Sequence, residues 1–232
     1  MTKRDPLKRR LLVEGKSDLR VIPELVKRGT GLRWELGKPK HLVEIVSADG
    51  LQNLLDPDFV TTQLVSPGDL GSLGLIVDAD SSCNSRWHSL RGVLSPHFPQ
   101  LPRELPPQGL VNTRADDLRL GVWIMPDNQS AGMMETFLSY LVPNRETSDL
   151  YHEVIHSVER AREKGAPFKD CHQDKALIHT WLAWQDEPGY QLHTAVMKGA
   201  LEVHSSLGIR FIEWFCEVFR LETPAPPPVQ VK

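Results

Sequence analysis

The chain has 232 residues, with 27 Lys plus Arg against 30 Asp plus Glu, a formal net charge of −3. At 40% hydrophobic and 25% charged residues it carries enough apolar material for a sizeable core, which excludes disorder as its main state. No apolar run approaches the ~20 residues of a membrane span, and the near-neutral balance argues against a histone-like cationic coat. A nucleic-acid enzyme remains open, because metal-binding carboxylates are themselves acidic.

Taken in chain order, residues 9–14 (RRLLVE) form a short apolar run that reads as a strand. Ser17 is placed to cap the next segment, where Leu19, Ile22, Leu25 and Val26 recur at helical spacing until Gly29 and Gly31 stop them. Residues 41–47 (HLVEIVS) alternate and read as a second strand. Residues 50–65 read as a helix or two, interrupted by Pro57. Residues 73–78 (LGLIVD) are wholly apolar up to Asp78, the pattern of a buried parallel strand. A helix is expected over 84–95, then an irregular excursion over 95–107, which holds five prolines. Residues 120–125 (LGVWIM) form another buried strand, and Gly132 opens a helix through Met133, Met134, Phe137 and Leu141.

Beyond about residue 145 only helical periods remain, over 147–163, 172–185, 190–203 and 208–221. The expected organisation is therefore an α/β core over 1–143, a helical extension packed on it over 144–222, and an extended proline-rich tail over 223–232. The β-α-β alternation implies a central, mostly parallel sheet flanked by helices, with right-handed crossovers.

Three cysteines, Cys83, Cys171 and Cys216, show no C-x-x-C spacing. That excludes a disulfide framework and a thiolate zinc knuckle, and suits a reducing cytoplasm. The basic start (Lys3, Arg4, Lys8, Arg9, Arg10) is followed only by Leu11, Leu12 and Val13 before Glu14, so no secretory signal is expected.

In an open parallel sheet, sites gather at the carboxyl ends of the strands. Acidic residues stand at three such ends. Glu14 follows the first strand and Asp18 lies four residues on. The third strand ends V-D-A-D, with Asp78 and Asp80 two apart and so on one side of an extended chain. Asp127 follows the fourth strand, and Glu135 lies in the next helix. A lone strand-end acid is usually a cap or a solvated turn residue. Several together repel one another, and a hard divalent cation that takes oxygen ligands removes that cost.

The stretches E-G-K-S-D (14–18) and I-V-D-A-D (76–80) resemble the TOPRIM domain of topoisomerases, bacterial primases and OLD-type nucleases. The resemblance implies a Rossmann-like fold in which Glu14 acts as general acid/base or metal ligand and Asp78 and Asp80 hold Mg²⁺ or Mn²⁺. It assigns Asp18 to the acid that follows the glutamate in the OLD-like branch. The stretches 121–128, 132–138 and 181–189 resemble a group of small stand-alone TOPRIM-like proteins of uncharacterised function.

The expected activity is Mg²⁺-dependent phosphodiester hydrolysis on DNA or RNA, with Glu14, Asp18, Asp78, Asp80 and Glu135 as candidate ligands. Such chemistry places cations roughly 4 Å apart to stabilise the attacking and leaving oxygens. Lys16 and Lys175 are candidates to neutralise the scissile phosphate. The alternative is a catalytically quiet binding module or effector that works with a separately encoded ATPase, replacing the one fused in OLD proteins.

Two other motifs compete. Residues 152–156 (HEVIH) match a zincin formally. Yet Tyr151, Val154, Ile155, Val158 and Ala161 form the apolar stripe, and His152 and His156 point away from it. Glu159 and Arg162 stand where a metzincin needs glycine and a third histidine, although His172 or Asp174 could supply a ligand. The D-x-D also opens haloacid-dehalogenase-type phosphatases, but there it sits on the first strand and is followed by threonine or valine, where this chain has Ser82. Gly68, Gly71 and Gly74 precede a strand and make no dinucleotide fingerprint, and no phosphate-binding G-x-x-x-x-G-K-[ST] loop occurs. Trp181 and Trp184, with Leu177 and Ile178, read as a core-facing helix side.

Overall fold

A computed structural model describes residues 8–34, 42–65 and 70–222. The expected tail at 223–232 lies outside the described residues, as does His41 at the start of the expected second strand. Among the described residues five strands are present: β1 (Lys8–Val13), β2 (Glu44–Ser47), β3 (Leu70–Asp78), β4 (Leu110–Thr113) and β5 (Arg119–Met125). They form one sheet in the order β2-β1-β3-β5-β4, parallel except for β4 on β5. This is a Rossmann-like α/β fold.

Between the strands lie α1 (Asp18–Thr30), α2 (Leu51–Leu54), α3 (Pro57–Val65) and α4 (Cys83–Leu94). After β5 come α5 (Met134–Tyr140), α6 (Asp149–Glu163), α7 (Gln173–Ala183), α8 (Leu192–Lys198) and α9 (Ser206–Phe219). Pro57 begins α3 rather than interrupting a helix, as its fixed φ and missing N–H permit. Gly29 lies inside α1, and Gly31 ends the helix in a left-handed conformation, φ 71°. Ser17 makes no side-chain cap. The carboxylate of Asp18 accepts the Gly15 N–H instead, at 3.0 Å.

The apolar strands are buried on both faces because alternate residues feed different layers. Leu11, Val13, Ile76, Trp123 and Met125 join α1 and the later helices in one cluster. Leu12, Leu75, Val77, Val122 and Ile124 join Val60, Trp87 and Leu90 in the other. Helix α9 lies against β3 and β5 at two glycines that are register partners, Gly74 and Gly121. A Cβ on Gly121 would stand 2.2 Å from Val218 Cγ2, and one on Gly74 2.6 Å from Phe219 Cζ. The helix can approach the sheet this closely only because those side chains are missing.

Strand β4 was not expected. Its four residues, Leu-Val-Asn-Thr, follow the proline-rich excursion and return through a turn onto β5, with Leu110 opposite Val122. The excursion is irregular but packed: Phe98 and Leu101 are buried, and Trp87 Nε1 donates to the Arg103 carbonyl at 3.2 Å. In the C-terminal helices Trp181 is buried, whereas Trp184 is exposed, because it follows the last turn of α7. Ile209 is likewise exposed, while Phe211, Ile212, Trp214 and Phe215 carry the inner side of α9. Among the described residues no helix is long and apolar enough to cross a membrane.

Candidate active site

The chain runs from β1 outward to β2, then crosses back to β3 on the other side of β1. The carboxyl ends of β1 and β3 therefore flank the topological switch point of the sheet, where the diverging connections leave a crevice. Val13 pairs with Ile76, so Glu14 emerges level with Val77, one residue before Asp78. The Asp78 N–H donates to Glu14 Oε2 across a long 3.5 Å bond.

Asp18, in the first turn of α1, is 8% exposed and lies near enough to Glu14 and Glu135 to feel their charge. Glu135, in the first turn of α5, completes the group. Helix α5 is brought there by two contacts with the β3 end. The Met134 N–H donates to Asp78 Oδ1 at 2.9 Å. Asp80 and Gly132 exchange backbone hydrogen bonds of 2.9 and 2.8 Å.

The electrostatics follow from burial and like charge. Burial pushes the Asp78 carboxyl up to about 8, helped by the negative charges of Glu14, Asp18 and Glu135 and opposed by the Met134 N–H. Burial likewise raises Asp18 to about 6, with Glu14 and Glu135 adding to the rise and the Gly15 N–H opposing it. Glu14 is raised by burial and by Asp80, against its bond to the Asp78 N–H and the charges of Arg86 and Lys175. Lys175, in the first turn of α7, reaches Glu135 Oε1 at 3.4 Å. The basic residue expected at the acidic edge is thus there, while Lys16 is exposed.

Two expected ligands behave differently. The strand ends at Asp78 and the backbone turns at Asp80, which has φ 52°. The alternation that would set Asp78 and Asp80 on one side no longer applies, and the Asp80 carboxylate pairs with Arg86. Asp127 is used by its own turn, accepting the N–H groups of Gln129 and Ser130 and the Ser130 hydroxyl.

Sequence reasoning missed Arg86, whose Nε donates to the Asp78 carbonyl at 2.7 Å and whose side chain is only 10% exposed. The available signal was its place in the first turn of the helix capped by Ser82, directly after D-A-D. It also missed Thr136, whose hydroxyl donates to Asp174 and ties α5 to α7.

The donor chemistry suits a hard divalent cation: several oxygen ligands, largely buried, that raise one another's proton affinity. In the positions shown, each carboxylate keeps to its own partner. Among the described residues no three His, Cys, Asp or Glu side chains converge as a metal-holding group.

The H-E-V-I-H segment lies on the outer side of α6. His152, Glu153 and His156 are exposed, Glu153 pairs with Arg160, and His156 lies 3.5 Å from Glu159. Cys83 is buried; burial and the charge of Asp127 push its thiol to about 11, so it stays protonated near neutral pH.

Fold and site together define an α/β protein with an acidic crevice at the switch point of its sheet. The model of a family described as Protein of unknown function (DUF3226) matches residues 8–220, and the chain belongs to that family. No curated protein and no solved structure matches the chain.

Proposed function

We propose that the chain is a metal-dependent nuclease that hydrolyses phosphodiester bonds of DNA or RNA with Mg²⁺ or Mn²⁺. The observation that carries this reading is the neighbourhood of Glu14, Asp18, Asp78 and Glu135 at the β1/β3 switch point, near enough to raise one another's proton affinity although their carboxylates do not converge. Their mutual repulsion is a cost that a fold retains where the charge is used. The resemblance of residues 14–18 and 76–80 to TOPRIM motifs supports the same chemistry.

Glu14, Asp18, Asp78 and Glu135 would hold the cation, with Asp80 at the rim. Bound there, a divalent cation supplies Lewis-acid polarisation of a phosphoryl oxygen and offsets the carboxylate charge. The protein's own groups do the rest. Lys175 and Arg86 bring positive charge to the edge where an anionic phosphate must approach. Glu14, whose proton affinity burial raises, is suited to take a proton from an attacking water.

A catalytically quiet module or effector serving a separately encoded ATPase is favoured by one observation: Arg86 occupies the Asp80 carboxylate. Incubation of the purified chain with Mg²⁺ or Mn²⁺ and a panel of single- and double-stranded DNAs and RNAs separates the two. Metal-dependent products that disappear in Asp78→Ala support the nuclease. Intact substrates across the panel, with both metals, reject it.

A further inference from the structure

A cleft of about 350 Å³ opens between the start of α1, the outer side of α7 and the start of α8. Lys16, Arg20, His179 and His193 line its rim, with Val21 and Leu192 as the apolar part of its wall. Lys16 and Arg20 project to solvent. Their charged groups have no ion pair among the described residues, in contrast to Arg86 and Lys175, which meet carboxylates.

The cleft is linked to the acidic group along α7. Lys16 and Ser17 follow Glu14 in the turn between β1 and α1, whereas Arg20, two residues from Asp18 on α1, points to the opposite side of that helix. His179 follows Lys175 by four residues on α7, hence one turn along the same side, about 6 Å. A ligand that touches Lys175 at the acidic edge can therefore continue past His179 into the cleft.

We infer that this cleft binds a segment of single-stranded nucleic acid next to the bond that is cut. Lys16 and Arg20 would take backbone phosphates, and the imidazole rings of His179 and His193 would offer flat faces to a base above Val21 and Leu192. The inference rests on the nuclease reading for the position of the cut bond, but its chemistry is independent of it. Phosphates are repelled by the carboxylates of the crevice, so a strand needs cationic contacts to each side of them. Unpaired bases can enter a cleft of this size and stack on His or Arg, whereas stacked base pairs cannot.

The test is binding in EDTA, read by fluorescence anisotropy of a short labelled strand, DNA and RNA in turn, at several salt concentrations. The Lys16→Ala/Arg20→Ala double variant is compared with the unaltered chain, and Asp80→Ala serves as a cleavage-deficient control. Both altered lysine and arginine positions are exposed, so the double variant is expected to melt as the unaltered chain does. The expected result is a loss of affinity of about tenfold or more, and a salt slope shallower by about 1.4, the value for two phosphate contacts on a single strand. His179→Ala should weaken binding with the slope unchanged.

Equal affinity of the double variant, preference for duplex over single strand, or displacement of the strand by an equimolar mononucleotide would each overturn the inference. Binding through Lys16 and Arg20 without cleavage under any metal would sink the nuclease and leave the cleft. Cleavage with unchanged binding in the double variant would do the reverse.

Discussion

The N–H of Asp78 meets Oε2 of Glu14 at 3.5 Å, joining the last residue of β3 to the residue that follows β1. These two strands are neighbours in space but 64 positions separate the two residues in the chain. The bond steadies Glu14 as a carboxylate while burial works against it. The pair is the centre around which Asp18, Glu135 and Lys175 gather.

Glu14→Gln and Asp78→Ala should each lower metal-dependent cleavage by about three orders of magnitude, the size of effect expected for a lost catalytic or metal-binding carboxylate. Asp80→Ala should also abolish it, and should lower the melting temperature somewhat, since it leaves the Arg86 guanidinium, only 10% exposed, without its carboxylate. Full activity in Asp80→Ala would remove that residue from the site.

The pH dependence of stability has a definite sign. Asp78 and Asp18 are raised from 3.8 to about 8 and about 6, so over that interval the folded chain holds more protons than the unfolded one. Their contribution is fully present below about pH 4 and is lost as pH rises through about 6 and then about 8. In EDTA the melting temperature should fall from about pH 5 to about pH 8, and Asp78→Asn should flatten the fall. Millimolar Mg²⁺ should raise the melting temperature at the upper end, where the carboxylates are ionised. A melting temperature that climbs through this interval in EDTA would contradict the electrostatic account.

Elemental analysis of protein purified without a His-tag should find no stoichiometric zinc. His152, Glu153 and His156 face solvent from α6, and Glu153 is paired with Arg160. One zinc per chain, lost in His152→Ala, would restore the protease reading.

Gly121→Ala should destabilise the fold by about 1–3 kcal/mol, since the new methyl group would stand 2.2 Å from Val218 Cγ2 and α9 must shift. Gly92→Ala, on α4, meets nothing within 4 Å and is the control. Equal denaturant midpoints for the two would mean that α9 does not press on the sheet as described.

Ending the chain at residue 170 removes α7, α8 and α9, and with them Trp181, Phe211, Trp214, Phe215 and Phe219 from the cluster that covers Leu11, Ile76 and Trp123. Each large side chain withdrawn from the core costs about 1.5–3 kcal/mol, so the sum exceeds the stability of a typical domain. The fragment should be insoluble or lack a cooperative melt. A cooperative melt at the full-length temperature would show that the sheet does not need these helices.

The sequence by itself determined the β-α-β order, the three buried parallel strands with their acidic ends, and the helical second half. Those follow from period and composition, which act over a few residues. It also determined the residue types that Glu14, Asp78 and Lys175 bring to one edge. What only the tertiary structure decided depends on contacts between distant segments. Strand β4 is too short and too mixed to declare itself, and exists because β5 offers an edge. Asp80 leaves the line of Asp78 because the chain turns there to meet Gly132. Arg86 is indistinguishable from a solvated arginine until α4 lies over the β3 end. The cleft of Lys16, Arg20, His179 and His193 is assembled from three helices, and no local pattern records their meeting. Side-chain periodicity encodes which face of an element is buried; which elements then share a crevice is set by the order in which the strands pack.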